Sequence, residues 1–480
     1  MDKRNVDIAI VGAGTAGLTA YSAARKHTDN LVLIEGDTYG TTCARVGCMP
    51  SKLLIAAADS AFNAAKATDF GVHVEGITIR GDAVLARVRR ERDSFVNSVL
   101  ASMQAIPDAH KLMGCARFLA PGRLAVGETV ELEAKRIVIA AGSSPYIPDM
   151  FKGLGDRLLT NDSLFELAAL PASVAVFGAG VVGLELGQAL SHLGVHVHVF
   201  GLGGSLAGIM DEEIRAYAER CFSDEFYLDT RSEVADVSLE GHAVSITFTH
   251  RDKGEVTEKF DRILVATGRP PNLDALDLHN SGLTLDDKGI PLTDPSTLQC
   301  GASPVFLVGD ANGQSAVLHE AAREGRIAGG NAGRYPDVQP VARQVPLSVV
   351  FTNPQIASVG LQVGRMSDAE REGYAVGTVS FEDQGRSKVI GKNRGLLKLY
   401  AKRGSGVFVG AEMFGPAAEH IGHLLAWAAQ SGMTVSAMLA MPFYHPVIEE
   451  GVRTALRDLN VRLNENAGCT DECLESGPGA

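Results

Sequence analysis

Small and apolar residues follow one recognisable order at the start of the chain. Residues 6–11 form a short apolar run, the loop GAGTAG at 12–17 interrupts it, and a helical stretch leads to a second apolar run at 31–34. Short apolar runs on either side of a glycine loop and a helix are typical of buried parallel strands. This segment is therefore predicted to be a strand–loop–helix–strand unit of the kind that binds a mononucleotide.

The same order of elements returns in the middle of the chain. An apolar run at 174–177 leads into the loop GAGVVG at 178–183, a helical stretch and a further apolar run at 195–200. A repeat of this length indicates an internal duplication. Two such units predict an α/β chain with two Rossmann-like dinucleotide-binding domains.

Composition narrows the class of protein. The 480 residues correspond to about three domains, and 44 basic against 57 acidic side chains give a net charge of −13. This balance disfavours nucleic acid and anionic membranes as partners. Seven cysteines are too few for a disulfide scaffold, so we expect a reduced, cytoplasmic protein. An amino-terminal signal peptide is disfavoured because the first glycines have phosphate-loop spacing.

The two glycine loops predict two dinucleotide sites. Gly12, Gly14 and Gly17 allow close approach of the backbone to a pyrophosphate, and Glu35 follows at the end of the second strand, where an acid binds ribose hydroxyls. Gly178, Gly180 and Gly183 repeat the loop, but the position equivalent to Glu35 is Gly201. Residues 201–213 also lack a Lys or Arg to neutralise a 2′-phosphate. We therefore expect a loose preference for NAD over NADP.

One histidine pair in the second unit has the alternation of a metal-binding pair. His196 and His198 share a face of the predicted strand, but no third ligand is expected nearby. A metal ion needs more than two ligands. No metal site is therefore predicted.

A close cysteine pair follows the first unit. Cys43 and Cys48 precede Pro50, which suits the first turn of a helix, so Cys48 is expected at a helix N-terminus with Lys52 one turn further on. Both features lower a thiol pKa. A zinc pair, two inert buried thiols and a structural disulfide are the alternatives. A redox-active dithiol is favoured over all three.

A histidine near the carboxyl end completes the candidate chemistry. Histidine as a residue type suits a base near neutral pH, and Glu450 or Glu449 is positioned to orient the ring of His445. Such a base generates the thiolate that dithiol exchange requires.

These motifs together resemble a known family. The segment TTCARVGCMPSK, a GxGxxG loop, a second GxGxxGxE loop, the GD segment and HPxxEE are similar to those of the dimeric FAD-dependent pyridine nucleotide–disulfide oxidoreductases, over about residues 5–460. The resemblance implies a glutathione-reductase-like architecture with a carboxyl-terminal α+β dimerisation domain. It places an FAD-binding domain at 1–149 and 274–343, an NAD(P)-binding domain at 150–273, an interface domain at 344–463 and a flexible tail at 464–480.

The resemblance also assigns roles to residues. Cys43 would exchange with substrate, Cys48 would contact the flavin, Lys52 would lie near the reactive edge of the isoalloxazine, and Glu185 would be the ion-pair partner of Lys52. The implied FAD-binding residues are Gly12, Gly14, Gly17, Glu35, Lys52, Gly114, Gly142, Asp310 and Leu318. The implied NAD-binding residues are Gly178, Gly180, Val181, Gly183, Gly201, Gly268 and Arg269.

The reaction implied is oxidation of dihydrolipoamide by NAD⁺, the dihydrolipoyl dehydrogenase type. Both cysteines are present, which disfavours the transhydrogenase of the family, and Ser22 occupies the position of a glutathione-binding arginine. The implied unit is a homodimer in which His445 reaches the other subunit's disulfide. Its partner would be a lipoyl-bearing acyltransferase of a 2-oxo acid dehydrogenase complex or a glycine-cleavage carrier protein. The alternative is an NAD(P)H-dependent disulfide or mercuric-ion reductase with Cys469 and Cys473 as a shuttle.

Overall fold

The computed structural model describes residues 2–464, so the predicted Cys469–Cys473 shuttle lies outside the described residues. The helices of the described part are α1 (Thr15–Ala24), α2 (Thr42–Arg45), α3 (Cys48–Ala65), α4 (Gly81–Gln104), α5 (Asn161–Leu164), α6 (Val181–His192), α7 (Glu212–Ser223), α8 (Leu318–Arg334), α9 (Asp368–Arg371), α10 (Gly385–Val389), α11 (Ala418–Gln430), α12 (Val435–Leu439) and α13 (Glu450–Asn464). No helix within residues 2–464 is both long and apolar enough to cross a membrane.

The first sheet is built around the first glycine loop. Its strands are β1 (Asp2–Val11), β2 (Leu31–Glu35), β3 (Lys111–Met113), β4 (Ala116–Ala120), β5 (Arg123–Val126), β6 (Val130–Ile139) and β15 (Val305–Leu307). The order is β3-β2-β1-β6-β5-β4, with β15 also paired to β6. β1 begins earlier than the apolar run predicts, because residues 2–6 pair with β6. Alternate apolar residues of β1 and β2 are buried under α1 and α8, and those between them are buried in a second core on the other face of the sheet.

The second sheet repeats this arrangement around the second loop. Its strands are β7 (Leu158–Leu159), β8 (Ser173–Phe177), β9 (His196–Phe200), β10 (Tyr227–Asp229) and β14 (Arg262–Val265), all parallel, in the order β10-β9-β8-β14-β7. Val197 and Val199 of β9 pack on the α6 side. The alternate residues of β9 face the other way, since side chains alternate along a strand.

A small antiparallel sheet covers that other face. It consists of β11 (Val234–Glu240), β12 (Ala243–His250) and β13 (Gly254–Phe260). Phe248 and Phe260 from this sheet share a core with Phe177 and Phe200 of the parallel sheet. The repeat did not predict this antiparallel sheet, because its strands lie between the segments that the two units share.

An antiparallel sheet backed by helices forms the carboxyl-terminal region. Its strands are β16 (Leu347–Val350), β17 (Gln355–Gly360), β18 (Tyr374–Ser380), β19 (Leu396–Lys402) and β20 (Phe408–Gly415), in the order β16-β17-β20-β19-β18. α11 and α13 bury their apolar faces against this sheet. The predicted α/β fold with a carboxyl-terminal α+β region is confirmed.

Candidate functional site

The first glycine loop leaves space only where a ligand would approach. A Cβ on Gly17 would lie 1.8 Å from the carbonyl oxygen of Gly12, so the start of α1 packs directly on the loop. A Cβ on Gly14 would meet no protein atom within 4 Å. The loop is thus closed towards the protein and open at the helix N-terminus, where phosphate groups bind. This cradle fits the pyrophosphate of FAD.

Glu35 lies at the carboxyl end of β2, beside this loop. Its two carboxylate oxygens accept hydrogen bonds from the backbone N–H groups of Ala13, at 3.0 Å, and Asp37, at 3.1 Å. The carboxylate is therefore held at the edge of the sheet where a ribose would lie. Gly114 follows β3 at the same edge and donates its N–H to the Glu35 carbonyl at 2.8 Å.

The cysteine pair lies in a cavity next to the first loop. Cys43 belongs to the one-turn helix α2, and Cys48 is the first residue of α3, as predicted. Both line the cavity together with Gly14, Gly142 and Leu318. Thr41, which caps α2, has a φ of +59°, a strained value for a β-branched residue. The backbone is thus bent sharply just before Cys43.

The pKa values of the two thiols are shifted in opposite directions. A hydrogen bond from Cys43, together with the positive charge of Lys52, lowers the pKa of Cys48 to about 6, although burial acts against this shift. The same hydrogen bond and burial raise the pKa of Cys43 well above its ordinary range. At neutral pH, Cys48 is therefore the thiolate of the reduced pair.

Lys52 links the cysteine helix to the second unit. Its Nζ lies 2.7 Å from Oε2 of Glu185, a buried carboxylate on α6. Oε1 of Glu185 accepts the Phe351 N–H at 2.9 Å, and the Lys52 ammonium lies 4.7 Å from the centre of the Phe351 ring. The ion pair predicted for these two residues is thus present, and it fixes Lys52 beside Cys48.

Asp310 begins a chain of hydrogen bonds along the same cavity. Ser143 Oγ donates to Asp310 Oδ2 at 2.7 Å, and Arg269 Nη2 donates to the Ser143 carbonyl at 2.8 Å. Arg269 Nη1 also donates to Asn161 Oδ1 at 3.0 Å. We predicted Arg269 as an NAD-binding residue, but the structure places it with Asp310 and the cysteines as well. Ser143 and Asn161 were missed, because short polar residues after a strand carry no motif.

The second glycine loop has the geometry of the first. A Cβ on Gly183 would lie 1.9 Å from the Gly178 carbonyl oxygen, whereas one on Gly180 would meet nothing within 4 Å. Val181 opens α6 and lines the cavity that holds the cysteines, so the two loops face a common space. Gly268 follows β14, and its carbonyl accepts the Tyr146 N–H at 2.9 Å.

Gly201 has a steric explanation. A Cβ at this position would lie 2.9 Å from the Ala179 methyl group and 3.0 Å from the Thr230 Cα. The chain approaches so closely because Gly201 exchanges backbone hydrogen bonds with Asp229 and Ser232. An acid equivalent to Glu35 has no space here.

Residues 201–213 contain no cation, but the fold brings one to this loop from elsewhere in the chain, which corrects the expectation above. Arg231, just after β10, lies against the loop: a Cβ on Gly204 would be 2.7 Å from its Nη2. Neighbouring strands of a parallel sheet end at the same edge, so this cation comes from the adjacent strand rather than from the following residues. Arg231 is exposed. It was missed because only residues 201–213, which directly follow the strand, were considered.

The histidine pair at 196 and 198 also requires a correction. The structure places Glu258 of β13 beside the two rings, with the three potential ligand atoms within 4.8 Å of one another. The premise that no third ligand is near was wrong, because β13 folds back over β9.

His445 is paired with Glu450 rather than Glu449. Nδ1 of the ring lies 2.9 Å from Glu450 Oε1, and Oε2 of the same carboxylate accepts the Val447 N–H at 3.1 Å. The His445 side chain is 61% exposed and that of Glu450 only 14%. A carboxylate held in this way accepts a hydrogen bond from Nδ1–H, which leaves Nε2 unprotonated and able to act as the base.

Comparisons with known proteins agree with this geometry. The family model described as "Pyridine nucleotide-disulphide oxidoreductase" matches residues 6–325, and that of the family's dimerisation domain matches residues 346–456. "Dihydrolipoyl dehydrogenase 3" of Pseudomonas aeruginosa is 31% identical, over 96% of this chain and 99% of that protein. "Mycothione reductase" of Mycobacterium tuberculosis is 30% identical, over 94% of this chain and 99% of that protein.

Solved structures show the same fold. LpdA from Mycobacterium tuberculosis superposes with a TM-score of 0.80 at 27% identity, covering 94% of this chain and 99% of that one. The flavoprotein disulfide reductase RclA from Escherichia coli superposes with a TM-score of 0.78 at 20% identity, covering 94% and 99%. The predicted family, glutathione-reductase-like fold and cofactors are confirmed. The chain therefore belongs to the pyridine nucleotide-disulphide oxidoreductase family and uses FAD and NAD as its cofactors.

Proposed function

We propose that this oxidoreductase is a dihydrolipoyl dehydrogenase, which oxidises protein-bound dihydrolipoamide with NAD⁺. The observation that carries the reaction class is the pair of thiols, Cys43 and Cys48, in a cavity that both glycine loops face. The low pKa of Cys48 makes it a good leaving group when the disulfide is opened. The high pKa of Cys43 favours its protonation to the thiol when it leaves the mixed disulfide.

Each residue has a defined part in the reaction. His445 Nε2 takes a proton from dihydrolipoamide, and the resulting thiolate attacks Cys43 of the Cys43–Cys48 disulfide, releasing Cys48 as a thiolate. The second lipoyl thiol then attacks the lipoyl sulfur of the mixed disulfide and its proton passes to Cys43 as Cys43 leaves, so lipoamide has lost two electrons and two protons, one to His445 and one to Cys43. FAD, when bound, supplies the two-electron transfer between the cysteine pair and NAD⁺. Lys52 keeps a positive charge beside the Cys48 thiolate throughout.

The role of His445 as the base calls for a homodimer. His445 is not among the described residues that line the cavity of Cys43 and Cys48. Trp427 on α11 and Tyr444 next to His445 are 70% and 79% exposed, as expected of a face that a second copy covers. We propose that His445 of the partner subunit serves the disulfide of each protomer. The match to a dimerisation domain at 346–456 supports this arrangement.

Lipoamide is favoured over glutathione by one position on α1. Ser22, which is exposed, stands where the resemblance to glutathione reductases requires an arginine for a substrate carboxylate. Relatives called dihydrolipoyl dehydrogenase in Pseudomonas aeruginosa and in Halobacterium salinarum support the same choice. A lipoyl-bearing acyltransferase or glycine-cleavage carrier protein would then present the substrate.

Mycothiol disulfide is the second candidate substrate, because mycothione reductase is as similar as several of the dihydrolipoyl dehydrogenases. The deciding measurement is anaerobic reduction of NAD⁺ by dihydrolipoamide, compared with reduction of mycothione by NADH. A kcat/KM at least 100-fold higher for dihydrolipoamide supports our proposal, and the reverse ratio assigns the chain to mycothiol.

The Cys469–Cys473 shuttle is tested in the same assay. A chain that ends at residue 464 keeps its dihydrolipoamide activity if the tail has no redox role. Loss of activity towards a bulky disulfide or mercuric ion, with dihydrolipoamide turnover absent from both forms, would favour the shuttle reductase instead.

A further inference from the structure

Three metal-ligating side chains meet on the face of the second parallel sheet that lies opposite α6. His196 and His198 are two residues apart on β9 and therefore point to the same side. Glu258 lies on β13 of the antiparallel sheet that covers this side, opposite the buried Ile246 in the strand pairing. Paired residues share a face, so the Glu258 side chain is directed at β9.

The geometry of the cluster is close to that of a coordination site. His198 Nδ1 lies 3.5 Å from Glu258 Oε2, and the three ligand atoms lie within 4.8 Å of one another. A tetrahedral ion with bonds of about 2.0–2.1 Å holds its ligand atoms roughly 3.4 Å apart. His198 and Glu258 already have this spacing. His196 is exposed, and its ligand atom lies within 4.8 Å of the other two.

His198 is not satisfied by the protein alone. Its side chain is 8% exposed, and its Nδ1 has no hydrogen-bond partner among the described residues. A separation of 3.5 Å is too long for a hydrogen bond to Glu258. A buried polar nitrogen without a partner is unfavourable, because it has lost its hydrogen bond to water.

Packing accounts for the buried position of the His198 ring but not for the Glu258 carboxylate beside it. The ring centre lies 4.7 Å from that of Tyr227 and 5.2 Å from that of Phe260, so the imidazole fills an aromatic cluster. Glu258 brings a charge to the edge of the same cluster, where an apolar side chain would pack without desolvation cost. A positive ion between the imidazoles and the carboxylate accounts for both residues.

We propose that His196, His198 and Glu258 form a binding site for a divalent transition-metal ion of the Zn²⁺ class. Two imidazole nitrogens and one carboxylate oxygen suit such an ion, with solvent as the fourth ligand on the exposed side of His196. The ion joins β9 to β13 and so ties the antiparallel sheet to the nucleotide-binding sheet. Because the site lies on the face opposite α6, it is separate from the cysteine cavity.

The test measures metal binding by the oxidised holoenzyme in a Cys469→Ser, Cys473→Ser background. Oxidation keeps Cys43 and Cys48 in a disulfide, and Cys221 and Cys300 are buried, so the exposed Cys115 is the remaining thiol that a sulfur signal would reveal within residues 2–464. Equilibrium dialysis against micromolar Zn²⁺, with the metal quantified by mass spectrometry, gives the stoichiometry and affinity. Zinc X-ray absorption identifies the ligand atoms. We expect one Zn²⁺ per protomer with nitrogen and oxygen ligands, imidazole scattering and no sulfur.

Variants connect the bound ion to this cluster. His196→Ala, which removes an exposed ring at the edge of the aromatic cluster, and Glu258→Gln should each weaken Zn²⁺ binding at least tenfold. His242→Ala is the matched control, because His242 is an exposed histidine in the turn of the same antiparallel sheet. Bound flavin and circular dichroism verify the fold of each variant. No Zn²⁺ binding by the parent protein, or equal affinity in the parent protein, His196→Ala and Glu258→Gln, would overturn the proposal.

Discussion

The two glycine loops of this chain have nearly the same backbone and different surroundings. In both, the third glycine packs on the carbonyl of the first, and the middle glycine faces open space. At the end of the following strand, however, the first unit has Glu35 and the second has Gly201, which has no space for a side chain. The loop therefore determines that a pyrophosphate binds, whereas the neighbouring strand determines how the ribose is recognised.

The second difference is what covers each sheet. α8 packs on α1 in the first unit, while an antiparallel sheet with an aromatic core covers the second. The covering element brings residues from distant parts of the sequence to the nucleotide-binding sheet. The two copies of the same framework therefore carry different side chains beside their sheets, because different elements pack on them.

The largest effect is expected from the third glycine of each loop. In Gly17→Ala and in Gly183→Ala the new methyl group overlaps a backbone carbonyl, and backbone cannot move aside cheaply. We expect Gly17→Ala to yield protein without bound flavin, and Gly183→Ala to keep flavin but lose NADH-dependent activity. Flavin absorbance and NADH oxidation measure the two outcomes.

Alanine at the middle glycine is the control. Gly14→Ala and Gly180→Ala introduce a methyl group into open space, so both should fold, with binding of FAD or of NAD weakened respectively. Equal behaviour of the Gly14 and Gly17 variants would contradict the close packing that we describe.

A smaller effect is expected from exchanging the residues at the strand ends. Glu35→Ala removes the carboxylate that is held at the ribose position, and we expect FAD affinity to fall about 10–100-fold, or roughly 1.4–2.7 kcal/mol. Gly201→Glu should not create an NAD-binding acid. It should instead destabilise the protein by about 1–3 kcal/mol through contact with Ala179 and Thr230.

Leu202→Glu is the matched control, because Leu202 is 79% exposed and accepts the same charge without a steric clash. Flavin titration gives the FAD affinity, and denaturant unfolding with NAD⁺ kinetics compares the two glutamate variants. A Gly201→Glu protein of unchanged stability and improved NAD⁺ affinity would show that our steric explanation is wrong.

What could be predicted from the sequence follows the same division. Gly12–Gly17, Gly178–Gly183 and Cys43–Cys48 are local patterns, and the fold and these parts of the site could be predicted from them. Strand pairing brings Glu258 to His198 and Arg231 to Gly204. No short window of sequence relates the two residues of either pair. Lys52 and Glu185 could be paired only through the family resemblance, since 133 positions separate them.

Acidity of the Cys48 thiol tests the ion pair that joins the two units. The hydrogen bond from Cys43 is the largest cause of the lowered pKa of Cys48, about 6; the charge of Lys52 also lowers this pKa, and that of Glu185 raises it. Lys52→Met should move the pKa up by about one unit, since an opposite charge at this range has an effect of about that size. Glu185→Gln should move it down.

The rate of alkylation of the reduced enzyme by iodoacetamide, measured against pH, follows the thiolate. The thiolate is present above the pKa, so at pH 6.5 the Lys52→Met protein should react several-fold more slowly than the parent protein. Shifts of the same sign in both variants would show that the charges of Lys52 and Glu185 do not control Cys48.

The smallest effect is expected from Arg231, the exposed cation beside Gly204. NAD⁺ should be the preferred acceptor, and Arg231 should support residual use of NADP⁺ by pairing with its 2′-phosphate. Because an exposed ion pair contributes at most about 1 kcal/mol, Arg231→Ala should lower kcat/KM for NADP⁺ by roughly fivefold and leave that for NAD⁺ nearly unchanged. Lys253→Ala, which removes an exposed cation from the antiparallel sheet, controls for the loss of net charge. If Arg231→Ala lowers kcat/KM equally for both cofactors, the arginine acts on the adenosine or the loop rather than on the 2′-phosphate, and recognition of the ribose in the second unit then depends on the backbone around Gly201 alone.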